Sequence, residues 1–252
     1  MRRITLNELD IFHGPLILVN KEHQIQNKNN LNLVPYSLEH KEIQLDAKTA
    51  SMLSKLLESI NCDNEIIPVS GYRSKEEQEE IFDNSLLENG IDFTHKYVAF
   101  PDHSEHQTGL AIDLGENGDS IDFIRPKFSY TGICGEFRAK APQYGFIERY
   151  SKGKETMTGI AHEPWHFRYV GYPHSYLIEY NGLSLEEYIQ FIKKYPYQGE
   201  HLTIKNKGTE VKVFFVESIA DKTVIELSNN DLYQISGNNV DGFIVTVWRQ
   251  YS

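Results

Sequence analysis

Cysteine is scarce in this sequence, with two in 252 residues, Cys62 and Cys134. That excludes a disulfide-stapled scaffold and a cysteine-rich zinc module, and two buried thiols are the expected state. No run approaches the roughly 18 consecutive apolar residues of a membrane-spanning helix. The basic start Met1-Arg2-Arg3 is followed by Asn7, Glu8, Asp10 and His13, which interrupt the apolar core a secretion signal would need. A cytoplasmic protein without a membrane anchor is the expectation. Positive charge is in the minority: 25 Lys and Arg against 36 Asp and Glu, a formal net charge of −11. A broad nucleic-acid interface needs a net positive face to displace counterions, so nucleic acid is excluded as a partner, and adhesion to anionic lipid is disfavoured. Internal repeats and low-complexity tracts are absent. What is there is ordinary for a folded chain, 40% hydrophobic and 24% charged. The length suits a principal domain of roughly 200 residues with a small appendage.

The first 45 residues are polar and Asn-rich around one apolar run, Leu16 to Val19, and are expected to wrap as an extended segment. Asp46 is placed to cap a helix reaching about Ile60, with Leu53, Leu56, Leu57 and Ile60 on one face. Ile66 to Val69 reads as a short strand whose Pro68 suits an edge or a strand start. Ser74 and Glu77 form a capping box, so a helix should begin there and carry Gln78, Ile81 and Phe82. Leu110 to Leu114 and Phe167 to Val170 read as strands. A third amphipathic helix, from Ser184, should bury Leu185, Tyr188, Ile189 and Ile192 before Tyr195-Pro196 stops it. After Gly199 the pattern changes to five short apolar or alternating runs separated by Gly, Asn and Asp turns, which describes a small all-β module. The expected division is a catalytic domain over 1–198 and a β module over 199–252. An interaction or homodimerisation role is expected of the module ahead of catalysis, a stabilising appendage being the alternative.

Reactive side chains concentrate in three patches: Ser70-Gly71-Tyr72-Arg73-Ser74 with Gln78, Ser104 to Asp113, and His162-Glu163-Pro164-Trp165-His166. The third matches His-Glu-x-x-His, in which two histidines one helical turn apart bind zinc. Pro164 argues against that helix, at a cost of roughly 3 kcal/mol, and it turns Glu163 away from helical dihedrals. A turn at Pro164-Trp165 would instead bring Glu163 and His166 to one site. His106 and Asp113, with Gly109 between them to turn loop into strand, offer further nitrogen and oxygen ligands. A catalytic zinc takes three such protein ligands and lowers the pKa of a water toward about 7. Glu163 can take that proton and pass it to a leaving amine. Arg73 offers fixed positive charge for the oxyanion that develops on a carbonyl.

Together, Ser-Gly-Tyr-Arg-Ser, Ser-x-His-x-x-Gly-x-Ala-x-Asp and Glu-Pro-Trp-His resemble the zinc D,D-peptidases of the VanX, VanY and VanXY group, over about residues 15 to 195. The resemblance implies an α+β fold, a small mixed or antiparallel sheet with helices around a zinc cleft. It implies zinc ligands at His106, Asp113 and His166, with Glu163 as general base and Arg73 polarising the scissile carbonyl. Ser104 and Gln78 would hold the terminal D-residue of the substrate. The substrates implied are D-Ala-D-Ala and the UDP-MurNAc-pentapeptide, in the manner of the cytosolic bifunctional VanXY type, which removes the target of vancomycin. One departure is Pro101-Asp102-His103, where relatives commonly carry Pro-Gly. Three alternatives compete: an L,D-carboxypeptidase of the same fold, a non-catalytic zinc-binding recognition module, and a helical zincin using His162, His166 and Glu179 or Glu186.

Overall fold

The computed structural model describes residues 1–26, 31–118, 122, 124–206, 208–219 and 221–250. The chain forms two compact units, one spanning Val19–Leu185 and one joining Met1–Leu18 to Glu186–Ser252. The described strands all pair antiparallel and are interspersed with helices, an α+β arrangement.

In the unit of residues 19–185, four strands lie in the order Ile66–Ser70, Ala111–Glu116, Glu163–Tyr169, Phe146–Tyr150. Pro68, which has no N–H to give a second neighbour, sits on the edge strand. The helix Ala47–Ser59 starts where the Asp46 carboxylate accepts the backbone N–H groups of Lys48 and Thr49, and it buries Leu53, Leu56 and Leu57. Ser74 and Glu77 close a capping box at the head of the helix Lys75–Asn89, which buries Gln78 and Phe82 and leaves Ile81 partly exposed. Three short helices, Ile91–Tyr97, Gly132–Lys140 and His174–Tyr180, and the strand Phe146–Tyr150 were not expected from the sequence pattern. The glutamate-to-tyrosine strand begins four residues earlier than the expected Phe167, inside the His-Glu-Pro-Trp-His patch.

The other unit corrects the division placed at 198/199. All five expected strands are present, but only four share a sheet, in the order Leu232–Gly237, Gly242–Gln250, Thr209–Glu217, Leu202–Asn206. The fifth, Lys222–Leu227, pairs instead with Arg2–Asn7 at the other end of the chain, Ile4 facing Ile225. The cause is apolar alternation in the first residues. Leu6, with Ile11 beyond it, is buried in one cluster with Phe214, Ile225, Phe243 and Val245. The amino-terminal residues are thus part of the β unit's core and not merely a wrapping segment. The helix Leu185–Ile192 buries the four expected residues, Leu185, Tyr188, Ile189 and Ile192. No helix among the described residues is long and apolar enough to cross a membrane.

Candidate active site

The site is built on a row across the sheet. Register sets Ser70 opposite Asp113 and Asp113 opposite His166, so the three share one face. His106 arrives from a 3-10 turn, Glu105–Thr108, that ends at Gly109 with φ of +71°. A Cβ at Gly109 would come within 2.8 Å of Leu33 and 2.9 Å of the Asp46 nitrogen, so the reversal requires glycine twice over. It folds His106 back over the strand it precedes, placing His106 Nε2 3.1 Å from Asp113 Oδ2. His166 Nδ1 lies 2.8 Å from the other carboxylate oxygen. The three ligand atoms fall within 4.8 Å of one another, and all three residues are buried.

Glu163 precedes His166 by three residues, a spacing that would put the two on opposite faces of a regular strand. The pairing is irregular here: Tyr150 faces Glu163, yet Glu148 faces Phe167. The extra residues make a bulge around Pro164, which has no N–H to place in the ladder, and Glu163 and His166 both line one cavity. Arg138 braces the bulge by donating to the Pro164 carbonyl and to Glu148. The expected turn at Pro164-Trp165 is therefore a bulge in a continuing strand. This strand also removes the helical zincin. His162 lies outside the cluster, against the Tyr130 hydroxyl at 2.8 Å and Glu148 at 3.3 Å.

The cavity, of about 320 Å³, is lined by Arg73, Gln78, Ser104, His106, Asp113, Glu163 and His166, the seven residues to which the resemblance assigned a role, but not by His162, Glu179 or Glu186. Arg73 is held from three sides: it donates from Nε to Ser70 Oγ at 2.9 Å, from Nη2 to Asp113 Oδ2 at 3.0 Å, and from Nη1 to Gln78 Oε1 at 3.5 Å. Gln78 donates its Nε2 to the Ala99 carbonyl at 2.8 Å. Trp165 is buried and also lines the cavity. Asp102, at the Pro-Asp-His departure, has φ of +66°, the left-handed region that glycine occupies freely, and its carboxylate pairs with Lys75 at 2.9 Å.

Burial pushes the Glu163 carboxyl up to about 8, with Asp113 adding to the rise and His166 and Arg73 opposing it. Burial acts the same way on Asp113, but the two histidines outweigh it and hold that carboxyl well below the usual carboxylate range. Burial favours the neutral ring at both histidines. It prevails at His106, where Arg73 assists, whereas contacts with Asp113 and Glu105 raise His166 to about 9. A carboxyl that titrates near neutrality beside a fixed guanidinium and a cluster of metal-type donors is equipped to move a proton during hydrolysis.

Three residues escaped the sequence reading: Glu105, Arg149 and Arg168, all buried. Glu105 Oε1 accepts from Arg149 Nε at 2.8 Å and from Arg168 Nη1 at 2.7 Å, while Oε2 lies 3.4 Å from His166 Nε2. The available signal was an arginine within each of two apolar strand runs, Phe146 to Tyr150 and Phe167 to Val170. A buried charge there must be paired.

Fold and cavity bring a His-Asp-His group that could hold a metal ion together with a buried carboxyl and a guanidinium. The family model for VanY, D-alanyl-D-alanine carboxypeptidase, matches residues 42–172, and the chain belongs to that family. It is 40% identical over 181 residues to the bifunctional D-Ala-D-Ala dipeptidase and carboxypeptidase VanXYC of Enterococcus gallinarum, covering 70% of this chain and 94% of that one. Among solved structures, the vancomycin resistance D,D-dipeptidase VanXYg, crystallised with a D-Ala-D-Ala phosphinate analogue, superimposes with a TM-score of 0.96. It is 53% identical over 98% of this chain and 99% of that one. A VanY D,D-pentapeptidase variant from a VanB-type resistance cassette, solved with Zn(II), is 32% identical, with a TM-score of 0.57 over 69% of this chain and 98% of that one.

Proposed function

We propose that this chain is a zinc-dependent D,D-peptidase that splits D-Ala-D-Ala and removes the terminal D-alanine of the UDP-MurNAc-pentapeptide, as in vancomycin resistance. The observation that carries the reading is the convergence of His106, Asp113 and His166 in one cavity with Glu163 and Arg73, in a chain so similar to enzymes named for that activity.

The donors suit zinc. Two imidazoles and one carboxylate are a catalytic zinc set, whereas calcium demands six or more oxygen ligands. Gly71's carbonyl, 2.6 Å from His106 Nδ1, can only accept, so the hydrogen of that ring sits on Nδ1 and the Nε2 lone pair faces Asp113. His106, Asp113 and His166 would hold the ion, which when bound acidifies a water and polarises a carbonyl.

The remaining work falls to this chain's own groups. Glu163 takes a proton from the attacking water and delivers it to the leaving amine nitrogen of D-alanine. In the metal-free chain burial holds that carboxyl up at about 8; beside a bound cation it would fall toward the ionised form that accepts the water's proton. Arg73, fixed by Ser70 and Asp113, presents positive charge to the carbonyl oxygen as it becomes an oxyanion. Ser104 and Gln78 receive the terminal D-residue, Gln78 also steadying Arg73. This substrate places the enzyme in the cytoplasm, where nucleotide-linked precursors are found; cell fractionation checks that. Pairing of two copies through the β unit belongs to the same reading, and sedimentation of the full chain checks it.

The test is D-alanine release from D-Ala-D-Ala, from the pentapeptide and from the tetrapeptide. Release from the first two supports the reading. Release from the tetrapeptide alone makes the enzyme an L,D-carboxypeptidase, and zinc binding without turnover on any of them makes it a recognition module.

A further inference from the structure

We propose that Glu105 is a positioning residue: it accepts the Nε2 hydrogen of His166 and so fixes that ring with Nδ1 turned to Asp113 and His106. The inference rests on the proposed metal site and goes past it, because Glu105 contributes no atom to the three-residue cluster.

Each histidine of the cluster has two ring nitrogens, and only one can face an ion. For His106 the choice is made by the Gly71 carbonyl. For His166 the outward nitrogen faces Glu105 Oε2, at 3.4 Å, while Nδ1 points to Asp113 at 2.8 Å. A carboxylate that is ionised can only accept, and Glu105 lies against two arginines through its other oxygen. Nε2 of His166 must therefore carry the hydrogen, which leaves the Nδ1 lone pair for ligation. Such carboxylate–histidine pairs orient a ligand and raise its basicity, and their loss typically costs 10- to 100-fold in metal affinity.

The geometry also accounts for the two arginines. Glu105 is 1% exposed, Arg149 1% and Arg168 0%, and a lone carboxylate buried so deeply would favour its protonated form, which donates instead of accepting. Arg168 comes from the strand that carries His166, two residues on, and Arg149 from its neighbour in the sheet. The carboxylate is thus tied to the strand whose histidine it orients. His166 packs its ring against Tyr150 at 4.9 Å between centroids, which limits tilting but does not choose between the nitrogens.

Two measurements test this. Long-range proton–nitrogen correlation spectra of the zinc-loaded, full-length wild-type protein report which nitrogen of His166 bears hydrogen. Nε2–H with zinc on Nδ1 is expected, and zinc on Nε2 overturns the proposal. Competition against a chromophoric chelator then compares zinc affinity in Glu105→Asp, which keeps the charge between the arginines but draws the carboxylate back by one methylene. A 10- to 100-fold loss in a chain that still unfolds cooperatively is expected; affinity within twofold of wild type overturns it. A purely structural Glu105 would lower the melting temperature and leave the affinity of the folded protein alone. Should Glu105→Asp fail to fold, the wild-type spectrum decides by itself. A wild-type chain that binds no zinc, or a His106→Ala chain that keeps it, defeats the metal site itself and the role of Glu105 with it, an outcome distinct from zinc on Nε2 or from unaltered affinity in Glu105→Asp.

Discussion

Replacing Glu163 with Gln separates chemistry from construction at this site. Glu163 lies outside the three-residue cluster, so zinc content should stay at that of wild type. Turnover should not. A positioned acid–base group contributes typically 10²- to 10⁴-fold, about 3 to 5 kcal/mol of barrier. The same substitution should stabilise the metal-free protein. The carboxyl of Glu163 titrates at about 8 in the folded chain against an ordinary 4.5. Its raised value means that its contribution to stability is complete below 4.5 and is lost as pH rises toward 8. At roughly 1.4 kcal/mol per unit, that loss reaches about 3 kcal/mol by pH 7. The uncharged amide avoids it. Denaturant unfolding in chelator should therefore show Glu163→Gln more stable than wild type at pH 7 and indistinguishable from it near pH 4. D-Ala-D-Ala hydrolysis by the zinc-loaded variant should fall at least 10²-fold. Wild-type turnover in a zinc-bearing Glu163→Gln enzyme would refute the assignment, and an unaltered stability profile would refute the buried, proton-holding carboxyl.

His106→Ala should lose zinc, read by metal analysis after dialysis, because the cluster loses one of three donors; retained zinc would point to ligands elsewhere. Burial pushes His174 down to about 3, so its contribution to stability is complete above pH 6.5 and declines as pH falls toward 3. Wild type should lose up to about 1.4 kcal/mol per unit over that window, and His174→Gln should show a flatter profile in denaturant titrations at successive pH values. Leu6→Ala should cost the β unit about 2 to 5 kcal/mol through the cavity it leaves, seen as faster amide hydrogen exchange across Lys222–Leu227; unchanged exchange would show that the terminal strand is dispensable.

What could be read from the sequence was mostly local. Asp46 and the Ser74–Glu77 box act on backbone groups two or three residues away, and both caps form as their spacing dictates. The three patches whose residues line one cavity stood out for a different reason, that their motifs resemble those of a known family. The strand Arg2–Asn7 was not legible, since its partner lies some 220 positions away and four alternating residues are a weak signal. The bulge at Pro164 escaped because breaking a helix leaves both turn and bulge open, and only the neighbouring strand selects between them. Glu105 looked like one more polar residue beside His106; its meaning depends on Arg149 and Arg168, over 40 residues away.

The central claim is that hydrolysis depends on one zinc ion held by His106, Asp113 and His166. Titrating the metal-free chain with zinc while recording both bound metal and D-Ala-D-Ala cleavage tests it directly. The account predicts a rate that rises in step with occupancy and reaches its plateau at one ion per chain. Cleavage undiminished in the metal-free protein, or absent once one ion is bound, would contradict it.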